Sequence, residues 1–446
     1  MKSTVETLSP TRVRLNVEVP FEELKPTLDK AYRTIAGQIA IPGFRKGKVP
    51  PRLIDQRIGR AAVLEETLNE AIPNSYSEAV REHDVKAIGR PEVEVTELAD
   101  GERVAFTAEV EVRPPLTLPS FSDLDVSVET VAVEDSDVDE QVGGLRERFA
   151  TLKTVERPAA NGDYVTLDLL ATVDGEEVPG GSATGISHEV GSGQLLQGLD
   201  EAVEGMSAGD QATFTTALVG GDYAGKDAEV SVTVKSVKEK ELPELDDDFA
   251  QTASEFDSLD ELRGDMRGRI ERVKKLEQAV QARDRTLDTL LAAVDVPMPE
   301  KLLANEIEFR RHQLEHMLNQ ANMSMERYLQ DENITQEEFD AKLEADAGEA
   351  VKAQLVLDTI ADTEQLSVND TELTNEVVRR AQQTGVGPQE YADQLVQSGQ
   401  LPMIVADLRR GKALAMVVEN AKITDGAGEA ISLDVLRQEL AAGTAE

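Results

Sequence analysis

The sequence predicts a multidomain α+β protein: an N-terminal α+β domain, a small antiparallel β domain with one short helix, and an elongated all-α arm region. Three observations lead there. At 446 residues the chain is too long for one hydrophobic core. Its apolar periodicity changes twice, from mixed to strictly alternating near residue 161, then to helical spacing after residue 258. Apolar residues make up 40% and charged residues 30%, the balance of folded protein, with aromatics at only 4% and no Trp. Its cores must therefore be built from Leu, Val, Ile and Ala.

The first 112 residues give the mixed pattern. Val13, Leu15, Val17 and Val19 alternate as in a half-buried strand, and Leu24, Leu28, Tyr32 and Ile35 give helical spacing over Phe21 to Ala40. A second helix is expected from Pro51 to Ala71, opened by a proline. Val93 and Val95, then Val104 to Val112, form an alternating pair around the turn Asp100-Gly101. Between the two helices lies Ile41-Pro-Gly-Phe-Arg-Lys-Gly-Lys-Val-Pro50. Its prolines forbid helix and its glycines permit tight turns, so a stiff protruding loop with Phe44 at its tip is expected. An aromatic tucked back into its own domain is the plainer alternative.

Pro114-Pro115, Pro119 and the acidic stretch Glu134 to Glu140 suggest an extended connector. Alternation over Tyr164 to Ala171, Gln211 to Ala217 and Glu229 to Val237, with a short helix at Leu199 to Val203, suggests a small sheet wrapped on a helix. Ser258 and Glu261 then form a capping box. The stripe from Leu259 to Val294 would span about 54 Å if unbroken. Further helices are expected after Pro299, after Thr335 (with Val351, Leu355, Val356 and Ile360), at Leu373 to Gln383 and at Met403 to Asn420. Long helices with narrow apolar stripes suit hairpin arms better than a globule.

Charge is uneven. Residues 1–112 carry 16 Lys and Arg against 19 Asp and Glu, a net of −3, which leaves −37 of the chain's −40 for the rest. Yet Arg45, Lys46, Lys48, Arg52, Arg57 and Arg60 face only Asp55 within sixteen residues. A general nucleic-acid binder would spread its cations over a wide face. This concentration suggests docking at one defined acidic or RNA-rich surface, although a solvated basic turn is the simpler reading of such clusters.

Other chemistry is thin. Absence of Cys excludes disulfides, thiolate metal sites and Cys nucleophiles. His312 and His316 stand four apart, but the Glu that a zinc protease places after the first His is missing, so no metal is expected. Gly191-Ser-Gly193 and Gly198 resemble a phosphate cradle without the following Gly-Lys-Ser/Thr, so neither ATP nor another cofactor is expected. Met298, Met317, Met323 and Met325 gather in one part of the arms, where they suit either adaptable apolar binding or ordinary gap-filling. Met1 to Pro20 lacks a signal-peptide pattern and no run reaches the ~18 apolar residues of a membrane span, so a cytoplasmic protein with no membrane partner is expected.

Over nearly its whole length the chain resembles the trigger factors, bacterial ribosome-associated chaperones, of the actinobacterial kind. The octet Gly43-Phe-Arg-Lys-Gly-Lys-Val-Pro50 resembles their ribosome-docking signature. Val190 to Asp210 (VGSGQLLQGLDEAVEGMSAGD) resembles an FKBP-type segment, and Glu241-Leu-Pro-Glu-Leu245 the exit into the arms. The resemblance implies four parts: a ribosome-binding domain (1–112), a connector packing with the C-terminal domain (113–149), an FKBP-like prolyl isomerase domain (150–245) and a helical substrate-cradling domain (246–446). It implies that Gly43, Phe44, Arg45, Lys46, Gly47 and Lys48 bind the ribosome, with Phe44, Arg45 and Lys46 touching protein and RNA beside the exit tunnel. Nascent and unfolded polypeptides are the implied clients, with a homodimer off the ribosome left open.

The FKBP pattern lines its prolyl pocket with aromatics. Here Leu169, Val178, Ile186, Leu199 and Val230 stand where that pattern has Phe, and Ile-Pro-Gly-Phe becomes Leu196-Gln-Gly-Leu199. Tyr223 keeps an aromatic. Aliphatics keep the pocket dry but lose the flat walls that grip a proline ring, so weak or absent isomerase activity is expected beside intact chaperone function. The competing reading is a prolyl isomerase first, whose arms recruit substrate. A nucleic-acid regulator is disfavoured by the −37 body.

Overall fold

The computed structural model describes residues 1–39, 44, 45, 47–173, 175–218 and 226–431. The chain opens with β1 (Lys2–Ser9), β2 (Arg12–Pro20) and α1 (Phe21–Gln38). After a loop come α2 (Pro51–Ile58), α3 (Arg60–Glu82), β3 (Ala87–Ala99) and β4 (Arg103–Val112). A short β5 (Asp125–Val128) and α4 (Asp135–Arg148) lead to β6 (Thr151–Val155), β7 (Tyr164–Val173), β8 (Glu176–Glu189), α5 (Leu199–Val203), β9 (Gln211–Ala217) and β10 (Asp227–Glu241). The remainder is helical: α6 (Asp247–Ala253), α7 (Leu259–Ala293), α8 (Glu300–Gln320), α9 (Met325–Asp331) and α10 (Gln336–Thr363). It ends with α11 (Asp370–Thr384), α12 (Pro388–Ser398), α13 (Leu401–Asn420) and β11 (Lys422–Asp425).

These elements form two compact units, Met1–Thr130 with Gln278–Glu446, and Val131–Glu277. In the first, β1-β2-β4-β3 make an antiparallel sheet. Its alternating residues Leu15, Val17, Val104, Phe106 and Ala108 pack beneath α1 and α3. Leu24, Leu28, Tyr32 and Ile35 are the buried stripe of α1, as the helical spacing requires. The helix expected over Pro51 to Ala71 is two helices. Gly59, at φ +98°, stands between α2 and α3, a backbone conformation open to glycine but strained for other residues.

The helical part of this unit has its own core. Leu290 of α7, Val294 just after it, Val356 and Ile360 of α10, and Ala413 and Val417 of α13 are almost completely buried together. Polar contacts tie the sheet domain to these helices, among them Glu92 of β3 with Lys301 of α8 (2.6 Å). The Glu111 carboxylate accepts the backbone N–H groups of Lys301 (2.8 Å) and Leu302 (3.0 Å) at the start of α8, where a helix leaves donors unpaired and favours negative charge. Arg113 pairs with Asp358 (3.3 Å) and Asp362 (2.5 Å) on α10. β5 and β11 form a parallel pair beside Ala279 and Ala282.

In the second unit β6-β10-β7-β8, with β9 also on β10, wrap around α5. The acidic stretch expected to be extended is the first part of α4. Glu134 and Asp137 form its capping box, and Val138 and Val142, four apart, are completely buried. Its acids do not repel one another into an open chain because cations of α7 meet them. Arg263 pairs with Asp139 (2.6 Å), Lys274 with Asp137 (2.6 Å), and Arg267 with Asp135.

Candidate functional site

The loop between α1 and α2 is built from its ends inward. The Ile39 N–H closes α1 on the Ile35 carbonyl, and the Gly47 N–H, at φ +82°, reaches back to the Ala36 carbonyl at 2.8 Å. The Lys48 N–H bonds the Arg45 carbonyl at 2.9 Å, Val49 is buried in the core, and Pro50-Pro51 start α2. Between these anchors Phe44 stays 43% exposed, and Arg45, Gly47 and Lys48 are exposed. Gly43 and Lys46, also expected at this site, lie outside the described residues. The tucked aromatic is not what forms.

On α2, Arg52 and Arg57 are exposed on either side of buried Ile54. Among the described residues, Arg45, Lys48, Arg52 and Arg57 enter no ion pair. Arg60 departs from the cluster the sequence suggested. It turns onto Asp100, donating through Nε (3.0 Å) and Nη2 (2.9 Å). Asp100 lies forty residues away at the β3–β4 turn, so no charge count along the chain could pair them. What remains among the described residues is an exposed aromatic beside exposed cations that enter no ion pair there.

Six of the seven prolyl-pocket candidates come together in the second unit. Leu169, Val178, Leu199 and Val230 are buried in one apolar cluster, and half-buried Ile186 and Leu196 pack against it. Tyr223 lies outside the described residues. Leu199 and Val230 are completely buried, so they act as core, and a substrate could reach them only after the domain opened. Sequence reading missed Phe214. It sits opposite Val230 in the β9–β10 ladder, and its ring comes within 3.4 Å of where a side chain on Gly198 would begin. Its place in the alternation from Gln211 to Ala217 was the available signal. A cleft of about 520 Å³ does exist in this unit, but Tyr164, Glu189 and Lys240 are among the residues lining it and none of the six described candidates is.

The glycine loop before α5 holds an internal anion. Asp200 accepts the N–H groups of Gly191 (2.7 Å) and Gly193 (2.8 Å) and meets His188 Nε2 at 2.6 Å. The cradle-like spacing thus serves a carboxylate of the chain itself. His312 and His316 are exposed on α8, where His312 meets Glu308 and Glu315. Among the described residues no group of three or more His, Asp or Glu side chains is arranged to hold a metal ion. No helix among them is long and apolar enough to cross a membrane. Phe309 (60% exposed) and Met317 (56%) project from α8, and Met403 is exposed on α13. Met298, Met323 and Met325 are half-buried.

Three family descriptions match this chain in succession. "Bacterial trigger factor protein (TF)" matches residues 1–145, "FKBP-type peptidyl-prolyl cis-trans isomerase" residues 155–231, and "Bacterial trigger factor protein (TF) C-terminus" residues 258–419. The trigger factor of Salinispora arenicola (strain CNS-205) is 58% identical over 439 residues, 98% of each chain. That of Rhodococcus jostii (strain RHA1) is 53% identical, covering 97% of this chain and 93% of its own. A solved trigger factor chaperone structure, described for promiscuous substrate recognition in folding and assembly, shares the fold at a TM-score of 0.60. Its identity is 22%, with 94% of this chain and 99% of that one covered.

Asp200 gives a pH test. Burial alone would raise its carboxyl, but the N–H groups of Gly191 and Gly193 and the His188 ring outweigh that and hold it below the usual range. A depressed folded-state pKa adds stability that is complete above about pH 4 and is lost as pH falls through the folded value. Thermal melts of the wild type should therefore drop more steeply below about pH 4 than those of Asp200→Asn, which should already be destabilised at pH 7. Parallel acid profiles for the two proteins would contradict this role.

Proposed function

Because the chain belongs to the trigger factor family, we propose that it docks on the ribosome through the loop bearing Phe44, Arg45, Lys46 and Lys48, flanked by Gly43 and Gly47. The family's function holds for this chain: it is a ribosome-associated molecular chaperone with an FKBP-type domain. The observation that carries the docking proposal is the exposed Phe44 beside cations without partners among the described residues, on a chain of net charge −40. Phe44 offers an apolar anchor that fills a hollow on a protein surface. Arg45, Lys46 and Lys48, with Arg52 and Arg57, supply contacts to phosphate, where each cation releases a condensed counterion. Exposed Phe309, Met317 and Met403 then offer weak, adaptable contacts to emerging apolar segments in the cytoplasm. Without nucleotide chemistry, holding and release follow mass action. The same apolar surface is what a homodimer off the ribosome would cover.

The FKBP-type domain is proposed to isomerise prolyl bonds weakly. Rotation about an amide is opposed by its resonance, a barrier of about 18–20 kcal/mol. A dry site lowers it by disfavouring the polar planar amide relative to the twisted state. That requires a substrate-accessible apolar wall, and here Leu199 and Val230 are closed into the core. Chaperoning, which rests on other surfaces, does not depend on this pocket.

Replacing Phe44, Arg45 and Lys46 together with Ala should abolish co-sedimentation with ribosomes while leaving the circular dichroism spectrum intact; retained co-sedimentation would place the dock elsewhere. In a protease-coupled prolyl-peptide assay the full-length chain should give marginal acceleration. Robust turnover would favour the isomerase-first reading and contradict the closed pocket.

A further inference from the structure

We propose that Arg60 is a positioning residue for ribosome docking: with Tyr32, Asp55 and Asp100 it forms a polar knot that sets where α2 and the loop present their cations. This rests on the docking reading above and goes beyond it by separating the cations that touch the ribosome from the one that arranges them.

Sequence alone placed Arg60 as the last of six clustered cations. Its geometry sets it apart. While Nε and Nη2 hold Asp100 in a fork, Nη1 donates to the Tyr32 hydroxyl at 2.5 Å. That hydroxyl donates in turn to the Asp55 carboxylate, at 2.8 and 3.0 Å from its two oxygens. The guanidinium carbon lies 5.9 Å from the ring centres of both Phe21 and Tyr32, within reach of cation–π attraction. One side chain thus ties α1, α2 and the β3–β4 turn together. Hydrogen bonding to Arg60 also holds the Asp100 carboxyl below its usual range. A solvent-facing phosphate contact would keep its donors free.

The need for such a knot follows from how little else holds α2. The helix has eight residues, too few to be stable alone; it buries Ile54 fully and packs half-buried Leu53 against the same core. At its end Gly59 takes φ +98°, and a side chain built there would meet nothing within 4 Å, so no packing at Gly59 itself fixes this pivot between α2 and α3. The knot brackets that pivot, with Asp55 before it, Arg60 after it and Tyr32 as their shared partner. Tyr32 sits on the helix whose Ala36 carbonyl, one turn on, anchors Gly47 of the loop. Loop and α2, and with them Arg45, Lys48, Arg52 and Arg57, are therefore referenced to the same stretch of α1. Lys could not replace Arg60, since a compact ammonium lacks the planar fork that serves two partners at fixed angles.

The test compares full-length Tyr32→Phe, Arg60→Lys and Arg60→Ala with the Phe44/Arg45/Lys46 triple alanine variant, measuring ribosome affinity at several salt concentrations. Suppression of aggregation of an unfolded chain without ribosomes checks that folding and chaperoning persist. Tyr32→Phe and Arg60→Lys should each weaken ribosome binding by about fivefold, with the salt slope and the ribosome-free activity unchanged. Wild-type affinity in both variants would overturn the inference. So would an Arg60→Ala slope shallower by about 0.7–0.9 that Lys restores, because Arg60 would then be a phosphate contact. If the triple variant also binds normally, the docking reading itself falls, and this inference with it.

Discussion

A few cations kept together on a strongly anionic chain are the constraint on which the rest of this structure depends. Spread evenly, 46 Lys and Arg against 86 Asp and Glu would leave a molecule repelled by every polyanion. Local order defeats the global charge. Gly47 bonded to Ala36, Val49 in the core and Ile54 beneath α2 fix a short stretch of backbone. Arg45, Lys48, Arg52 and Arg57 are exposed on this stretch and enter no ion pair among the described residues. Elsewhere the acids are used locally, as where Asp135, Asp137 and Asp139 pair with cations of α7, or where Glu111 caps α8.

In the FKBP-type domain, four of the residues proposed to line a prolyl pocket belong to the buried core. The strand ladder and the turn at Gly198 persist, and Asp200 still gathers the glycine loop onto α5. Leu169, Val178, Leu199 and Val230 pack in one apolar cluster, and the Phe214 ring lies beside Gly198.

Legibility in the sequence followed the strength of local pattern. β2, the buried stripe of α1 and the Val351 to Ile360 stripe of α10 were readable because periodicity and burial coincide there. β1 was not read: its side chains are mostly polar and exposed, and its strand form comes from pairing with β2 at a sheet edge. α4 was mistaken for a connector because charge density concealed a capping box and two buried valines. The single helical pattern after Pro51 is two helices, because Gly59 inside it takes a left-handed φ that ends the first. At the site, the exposed loop was legible from its prolines and glycines. Arg60 was not, since its partners Tyr32 and Asp100 lie 28 and 40 residues away. Phe214 was not legible as a pocket neighbour, because its closeness to Gly198 comes from the fold and not from the sequence pattern.

The claim that a local cationic cluster overrides the charge of the whole chain is tested most directly by ribosome affinity as a function of salt. Affinity should fall as salt rises, with a log–log slope of about −3 for four or five cations meeting phosphate. An affinity that stays flat, or strengthens as salt screens repulsion between two polyanions, would show that the cluster does not govern the encounter.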